Sequence, residues 1–390
     1  MSQLPGASGE GTTTSTGVGH VDGPDDEPDN ERDHEPHLGR ITWLRTRLID
    51  APLLRPWGPD VTRLHVIEVL VATESGVVGH GFSWTPSIGA HAVRAMLDHD
   101  IRDFAIGRPA DARSLWTPLW QHLHEAGSGG VTTIAMAGLD LALWDAAGRA
   151  ARASVSDLLG VRRASVGVYG SGVNRHYPID ELVAQAKRWK DAGYPFVKIK
   201  VGGHPLAEDV DRVAAVREAI GSEIGLAIDA NQHWTLDEAE RAIGELSRYD
   251  LRWIEEPLRA DDLVGHATLR SRIDVPVALG ENLHTVYRFR EAIEGGAADI
   301  VQPNAIRVGG ITPFLDIADS ADAAGVALYP HLLPELSAQL AVTLRRPTLV
   351  EDVEDAGFDQ LGLLAEPSPI ALENATAAPR GRHGLGIVFA

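Results

Sequence analysis

The sequence predicts an α/β protein: a parallel β/α barrel that follows an α+β block. Three observations carry this. Asp229 in AIDAN, Glu255 in WIEEP and Glu281 in LGEN recur at equal gaps of 26 residues, about the length of one strand–helix unit. Each of these acids closes a short apolar run, and a helix-like stretch follows it. From Ser165 onward such runs alternate with helical patterns, and the runs are near-continuously apolar, as parallel strands covered on both faces should be.

The elements follow in order. Residues 1–38 are Gly/Thr/Ser-rich (GASGEGTTTSTGVG) and then acidic and Pro-rich (DGPDDEPDNERDHEP), with almost nothing to bury. Such a segment cannot offset its ordering entropy and is expected to be a disordered tail. Its histidines, His20, His34 and His37, read as part of a solvated extension rather than a metal-scavenging arm. Residues 39–163 form the α+β block. ITWLRTRLI and LHVIEVLVATESGVVGHGFSW read as strands with a turn at Glu74–Gly76, and HAVRAMLDHDI and TTIAMAGLDLALWDAAGRAARASVSDLLG read as helices.

Residues 164–368 are the barrel. Its strands are VGVYG, FVKIKVG, IGLAIDAN, LRWIEEP, VPVALGEN, DIVQPN, VALYPH and a weak eighth run near TLVED. Helices are expected from Ile179, Pro205, Leu236, near Asp261, and from Thr285, Ile311 and Glu335. Within residues 369–390, RGRHGLGIVFA reads as a strand returning to the first block.

Composition narrows the function. The chain has 390 residues and a formal charge of −20, which argues against nucleic acid as a partner because phosphate binding needs a basic face. It has no cysteine, so there are no disulfides or thiolates, and any metal must take oxygen or imidazole ligands. No apolar run approaches a membrane span, and the start lacks the apolar core of a signal peptide. A cytoplasmic enzyme without a membrane partner is the default expectation.

Three carboxylates converging at strand ends would repel one another, so a divalent cation is expected between them. An all-oxygen donor set favours Mg²⁺ over zinc. Any one of these acids alone fits a helix N-cap; three at matched spacing point to metal ligands. Asn231, Glu256 and Asn282 stand beside them as groups that orient the ligands.

Lys198 and Lys200 are spaced i, i+2, so both side chains share one face of a strand. Inside a barrel, opposite a bound cation, mutual repulsion would depress their pKa values toward those of a usable base. The alternative is a strand end with both lysines in solvent. His331 closes VALYPH and fits a general acid or base at the same rim. Lys200 and His331 would flank a metal-bound substrate and remove the proton next to a carboxylate.

The set VKIKVG, IDANQHW, WIEEPL, LGEN, VQPNAIRVGGIT and YPHLLPE resembles the enolase superfamily in its mandelate racemase subgroup. The resemblance runs from about Arg40 to the C-terminus. It is most similar to acid-sugar dehydratases of the galactarate/talarate type, through YGSGVNRHYPIDELV, WIEEPL, GGITPFL and RHGLG. It implies an enolase-type modified TIM barrel with an N-terminal α+β capping domain. A Lys or His base beside Mg²⁺ is an established pattern of that superfamily, and the resemblance implies the same pairing in this chain.

Residue by residue, the resemblance implies Asp229, Glu255 and Glu281 on Mg²⁺, with no other cofactor. Lys200 would be the base, Lys198 the group polarising the substrate carboxylate, and His331 the acid/base opposite. Glu351 would hydrogen-bond a substrate carboxylate oxygen. Substrate specificity is implied to come from Leu53–Arg63 and Ser83–His91, where Arg55, Trp57, Trp84 and His91 are candidates. Tyr169, Asn174, Arg175 and His176, after the first barrel strand, are candidates too.

One residue departs from the family pattern. Asn304 stands where an aspartate normally pairs with the histidine. An amide can orient the imidazole but cannot stabilise imidazolium as a carboxylate would, which leaves His331 less basic. That weakens a two-base racemase more than a dehydratase.

The leading expectation is loss of water from an aldonate or aldarate to give a 2-keto-3-deoxy acid. Racemisation, epimerisation or lactone cycloisomerisation is the alternative within the same chemistry. A barrel that binds without turnover is the alternative outside it. The expected partner is a small-molecule carboxylate, and the family suggests a homo-oligomer.

Overall fold

The structure is a computed structural model describing residues 37–58 and 60–390. Apart from its last two residues, the expected tail therefore lies outside the described residues. An antiparallel meander opens the described chain, made of β1 (Ile41–Pro52), β2 (Arg63–Thr73) and β3 (Val78–Thr85). The β2–β3 turn closes where Thr73 N donates to Val77 O at 3.0 Å. Helix α2 (Val131–Ala151) packs on this sheet, and α1 (Ala112–Leu123) packs against α2. Gly79 and Gly81 explain how closely α2 lies on β3, because a Cβ at either would overlap the backbone of Ala142 or Gly138.

Eight parallel strands build the barrel: β4 (Val166–Ser171), β5 (Phe196–Lys200), β6 (Gly225–Asp229), β7 (Leu251–Glu255), β8 (Val277–Leu279), β9 (Ile300–Val301), β10 (Ala327–Leu328) and β11 (Leu349–Val353). They pair in sequence order from β4 to β10, and β11 closes the ring onto β4. Among the described residues no ladder joins β10 to β11; Thr348 Oγ1 bridges that seam by donating to Leu328 O at 2.6 Å. Helices α3 (Ile179–Asp191), α4 (Leu206–Ile220), α5 (Leu236–Leu246), α6 (Leu263–Arg270), α7 (Val286–Glu294), α8 (Ile311–Ala324) and α9 (Pro334–Ala341) alternate with the strands. Polar caps start several of them; Thr235 and Glu238 form a reciprocal capping box on α5.

The last segment differs from the expectation of one returning strand. β12 (Ile370–Glu373) and β13 (Thr376–Pro379) form a hairpin, and β13 pairs antiparallel with the start of β4. That edge is open because β5 pairs only with Gly170 and Ser171. Only the final residues reach the capping domain. There Leu385 N donates to Asp145 Oδ1 at 2.7 Å, and Phe389 packs edge-on against Phe82.

The period of two along each strand fixes what the barrel encloses. Phe196, Ala227 and Trp253 form a floor with Tyr169, whose ring stacks on Phe196 at 4.5 Å between centroids. Two residues further along β5, β6 and β7 the same inward face carries Lys198, Asp229 and Glu255. Apolar packing thus closes the bottom, and charge collects at the C-terminal ends of the strands.

The cap is keyed to the barrel through the start of α8. Asp140 of α2 accepts from Thr312 Oγ1 at 2.6 Å and from Thr312 N at 3.1 Å. Gly310, at φ +115°, leaves room for that carboxylate, since any Cβ there would overlap it. Among the described residues no helix is long and apolar enough to cross a membrane.

Candidate active site

The charged side chains at the strand ends form one connected cluster. Lys198 Nζ lies 2.7 Å from each Glu255 oxygen, 2.8 Å from Glu351 Oε1 and 3.8 Å from Asp229 Oδ2. Lys200, two residues on, pairs with Asp229. His331 Nε2 reaches Glu281 Oε2 at 2.7 Å and Glu351 Oε2 at 3.6 Å. Strand register accounts for the convergence, because Lys200, Asp229 and Glu255 are successive partners across β5, β6 and β7. All these residues are buried, and the structure turns neither lysine into solvent.

Backbone conformation just past the strands shapes this rim. Asn231, Gln232, Glu256, Leu332 and Leu333 all have positive φ. Such conformations cost about 1–3 kcal/mol each in non-glycine residues and cluster at functional sites. One effect is visible at Leu332, whose N–H donates to Glu351 Oε2 at 3.2 Å.

Five buried carboxylates (Asp229, Glu255, Glu256, Glu281 and Glu351) face two ammonium groups and one imidazole. Burial pushes Glu255 up to about 7, although Lys198 opposes it. Glu256 is raised well above the usual carboxylate range by burial and by the charges of Glu281 and Asp229. Its Oε1 is buried without a hydrogen-bond partner, while Oε2 accepts from Asn282 Nδ2 at 2.7 Å. Burial would also raise Glu281 and Glu351. Glu281 is instead held well below its ordinary value, chiefly by His331, and Glu351 is held down to about 2 by Lys198 and His331.

The lysines correct the sequence expectation of lowered pKa values. Desolvation does pull both down, but Glu255 and Glu351 around Lys198, and Asp229 beside Lys200, more than reverse it. Carboxylates decide the sign because they outnumber the amines. The same excess of negative charge fits a divalent cation. Donor atoms of Glu255, Glu281 and His331 lie within 4.8 Å of one another, an oxygen-and-imidazole set with an unpartnered carboxylate oxygen alongside. Asp229 stands outside that group in this structure, turned toward Lys200 and Lys198.

Asn304 contacts His331 in a defined orientation. Its Oδ1 accepts from Ile306 N at 3.0 Å and Arg307 N at 3.2 Å, capping a short helical turn. The amide nitrogen must then face the imidazole, and Nδ2 lies 3.1 Å from His331 Nδ1. A donor against Nδ1 makes that atom an acceptor, so the proton sits on Nε2, toward Glu281. Protonating both nitrogens would set two donors against each other.

Other sequence candidates are placed differently from expectation. Arg55 is paired with Glu181, and its guanidinium lies 3.4 Å from the ring centroid of Tyr177, so it is not free over the site. Trp84 is only 3% exposed and tilts against Trp57 inside the cap. Tyr169 belongs to the barrel floor. Glu351 does stand at the site, paired with Lys198 Nζ at 2.8 Å, and Lys198 and His331 hold its carboxyl down against the effect of burial. Asn231 is at the rim: its N donates to Asp229 Oδ1 at 2.8 Å and its Nδ2 to Oδ2 at 3.3 Å.

Sequence reasoning missed Gln302, whose Nε2 donates to Glu255 Oε2 at 2.8 Å, and Arg307, which donates to Asn282 Oδ1. Gln302 was within reach, because it lies two residues before Asn304 in the same run.

Comparison with known proteins identifies the family of this fold. Residues 181–390 match the family described as enolase C-terminal domain-like, and residues 59–160 match the mandelate racemase / muconate lactonizing enzyme N-terminal domain. The chain belongs to the mandelate racemase/muconate lactonizing enzyme family of the enolase superfamily. It is 36% identical to the 3,6-anhydro-alpha-L-galactonate cycloisomerase of Streptomyces coelicolor, over 89% of this chain and 94% of that one. It is 34% identical to the L-talarate/galactarate dehydratase of Salmonella typhimurium, over 90% and 89%. Among solved structures, L-talarate dehydratase from Polaromonas sp. JS666, complexed with Mg and L-glucarate, superposes with a TM-score of 0.81 at 36% identity, over 90% of this chain and 95% of that one.

Proposed function

We propose that this protein removes the proton α to the carboxylate of an acid sugar and expels water from the β-carbon, giving a 2-keto-3-deoxy acid. The observation that carries the reading is the pair Lys198 and Lys200 on one inward strand face, set among carboxylates from neighbouring strands. Asp229, Glu255 and Glu281 would hold Mg²⁺, which when bound supplies the positive charge that stabilises negative charge developing on the substrate carboxylate.

The remaining roles belong to the chain's own side chains. Lys198, fixed by Glu255 and Glu351, donates to a substrate carboxylate oxygen. Lys200, two residues along the same inward face, is the group placed to take the α-proton; Asp229 now holds its pKa up, so abstraction needs that pairing loosened. Asn304 keeps His331 in the tautomer with its proton on Nε2, the nitrogen beside Glu281 at the mouth, where it serves as a hydrogen-bond donor rather than a second base. The proton needed by the departing hydroxyl then comes from Lys200, on the face from which it was taken.

Cycloisomerisation of an acid-sugar lactone is the second reading. It begins with the same proton abstraction, and the 36% identity to a cycloisomerase favours it. Racemisation fits less well, since it needs a second base where Asn304 opposes one. The same reading makes the protein a cytoplasmic homo-oligomer acting on a free small molecule.

A panel of aldonates, aldarates and their lactones, incubated with enzyme and Mg²⁺, tests this. Dehydration yields a 2-keto acid lighter by one water, whereas cycloisomerisation yields an isomer of unchanged mass. Turnover of no acid sugar would sink both readings and leave a binding barrel.

A further inference from the structure

Two arginines at the barrel mouth, Arg175 and Arg307, have no carboxylate salt-bridge partner among the described residues. Arg307 lies behind Glu281, where it donates to Asn282 and its charge helps hold Glu281 down. Arg175 is different. It follows β4, and burial pulls its pKa down against the opposing charges of Asp229 on β6, Asp209 on α4 and Glu281 beyond β8. Its hydrogen bonds nevertheless go to neutral acceptors: Nη2 to Asn231 Oδ1 at 2.8 Å and Nη1 to His233 Nε2 at 3.0 Å. Its Nε–H is buried without a partner.

Three β–α loops hold this cation in place. The alkyl chain of Arg175 lies where a Cβ on Gly203 would be, and its carbonyl accepts from His204 Nε2 at 2.6 Å. His233 Nδ1 lies 2.9 Å from Ala230 O and 2.8 Å from Asn231 O, so that nitrogen carries the proton and Nε2 is left as acceptor for Arg175. Asn231 links Arg175 to Asp229, the residue that pairs with Lys200. The cation is therefore rigid, at the rim and beside the reacting groups.

We propose that Arg175 receives the distal carboxylate of the substrate, so that the enzyme selects dicarboxylic acid sugars (aldarates) over monocarboxylic ones (aldonates). This rests on the acid-sugar reading above. A second carboxylate entering a mouth lined by acids needs a local cation, and a guanidinium fork matches that group in shape and charge. Arg55 cannot serve, because Glu181 and Tyr177 already occupy it.

The test is equilibrium binding of C6 aldarates and their matching aldonates to full-length Mg²⁺-loaded Lys200→Ala enzyme, with and without Arg175→Met or Arg175→Lys. The expected result is that Arg175→Met weakens aldarate binding on the order of 10- to 100-fold, with a several-fold smaller loss for aldonates. Arg175→Lys should restore part of it. In Lys200-intact enzyme the same selective loss should fall on KM rather than kcat. Equal losses for both classes, with a lowered melting temperature, would make Arg175 a loop clamp and overturn the proposal. Aldarate turnover whose preference ignores Arg175 would overturn it alone. Aldarate-selective, Arg175-dependent binding by a wild-type protein that turns over no acid sugar would support it while sinking the catalytic reading.

Discussion

Replacing Asn304 by Asp tests how the site controls its histidine. The change is nearly isosteric, and one carboxylate oxygen can keep the contacts with Ile306 N and Arg307 N. The other would stand 3.1 Å from His331 Nδ1, where an amide donor now stands. An opposition of donors becomes a charge-assisted hydrogen bond worth about 1.5–3 kcal/mol, or a shift of about 10- to 150-fold toward protonated imidazole. A histidine able to hold that second proton can exchange protons with the α-carbon from the face opposite Lys200. Reaction in D₂O would follow this, with the ratio of epimerised, α-deuterated acid to dehydrated product read by NMR. The ratio should rise by about tenfold or more in the variant. An unchanged ratio in a well-folded variant would show that Asn304 does not set the role of His331.

Three further outcomes are expected. Lys200→Ala should lower kcat by about 10²–10⁴-fold while leaving a ligand-induced rise in melting temperature, since the general base is lost but the cation site is not. Chelation should abolish turnover and Mg²⁺ should restore it, with melting temperature rising with Mg²⁺ concentration because the unfolded chain has no such site. The last concerns Asp140, whose carboxyl burial pushes up to about 7 despite its bonds to Thr312. Its folded pKa exceeds its unfolded value, so its contribution is fully present below about 4 and is lost as pH rises to about 7. That loss is on the order of 4 kcal/mol. Asp140→Asn stays neutral, so denaturant melts should show the variant gaining on wild type across this window. Parallel pH profiles would refute the assignment.

How much of the site was legible in the sequence depended on whether a residue's neighbours come from strand geometry or from distant chain. Lys198, Lys200, Asp229 and Glu255 could be read because alternation along a strand and the even strand–helix repeat fix their face and height. Gly79 and Gly81 could not be explained until the carbonyls of α2 were found against them. The C-terminal hairpin was missed because it depends on an edge of β4 that β5 leaves unpaired.

By itself, then, the sequence determined the barrel, its capping domain and the carboxylates and amines at its mouth, since each follows from local periodicity. Only the tertiary structure decided the direction of the lysines' pKa shifts, the capture of Arg55 by Glu181, the tautomer of His331 and the neutral hydrogen-bond partners of Arg175. Those depend on groups brought together from remote parts of the chain. Electrostatic and hydrogen-bond energies vary with distances of a few ångströms, which residue spacing does not encode.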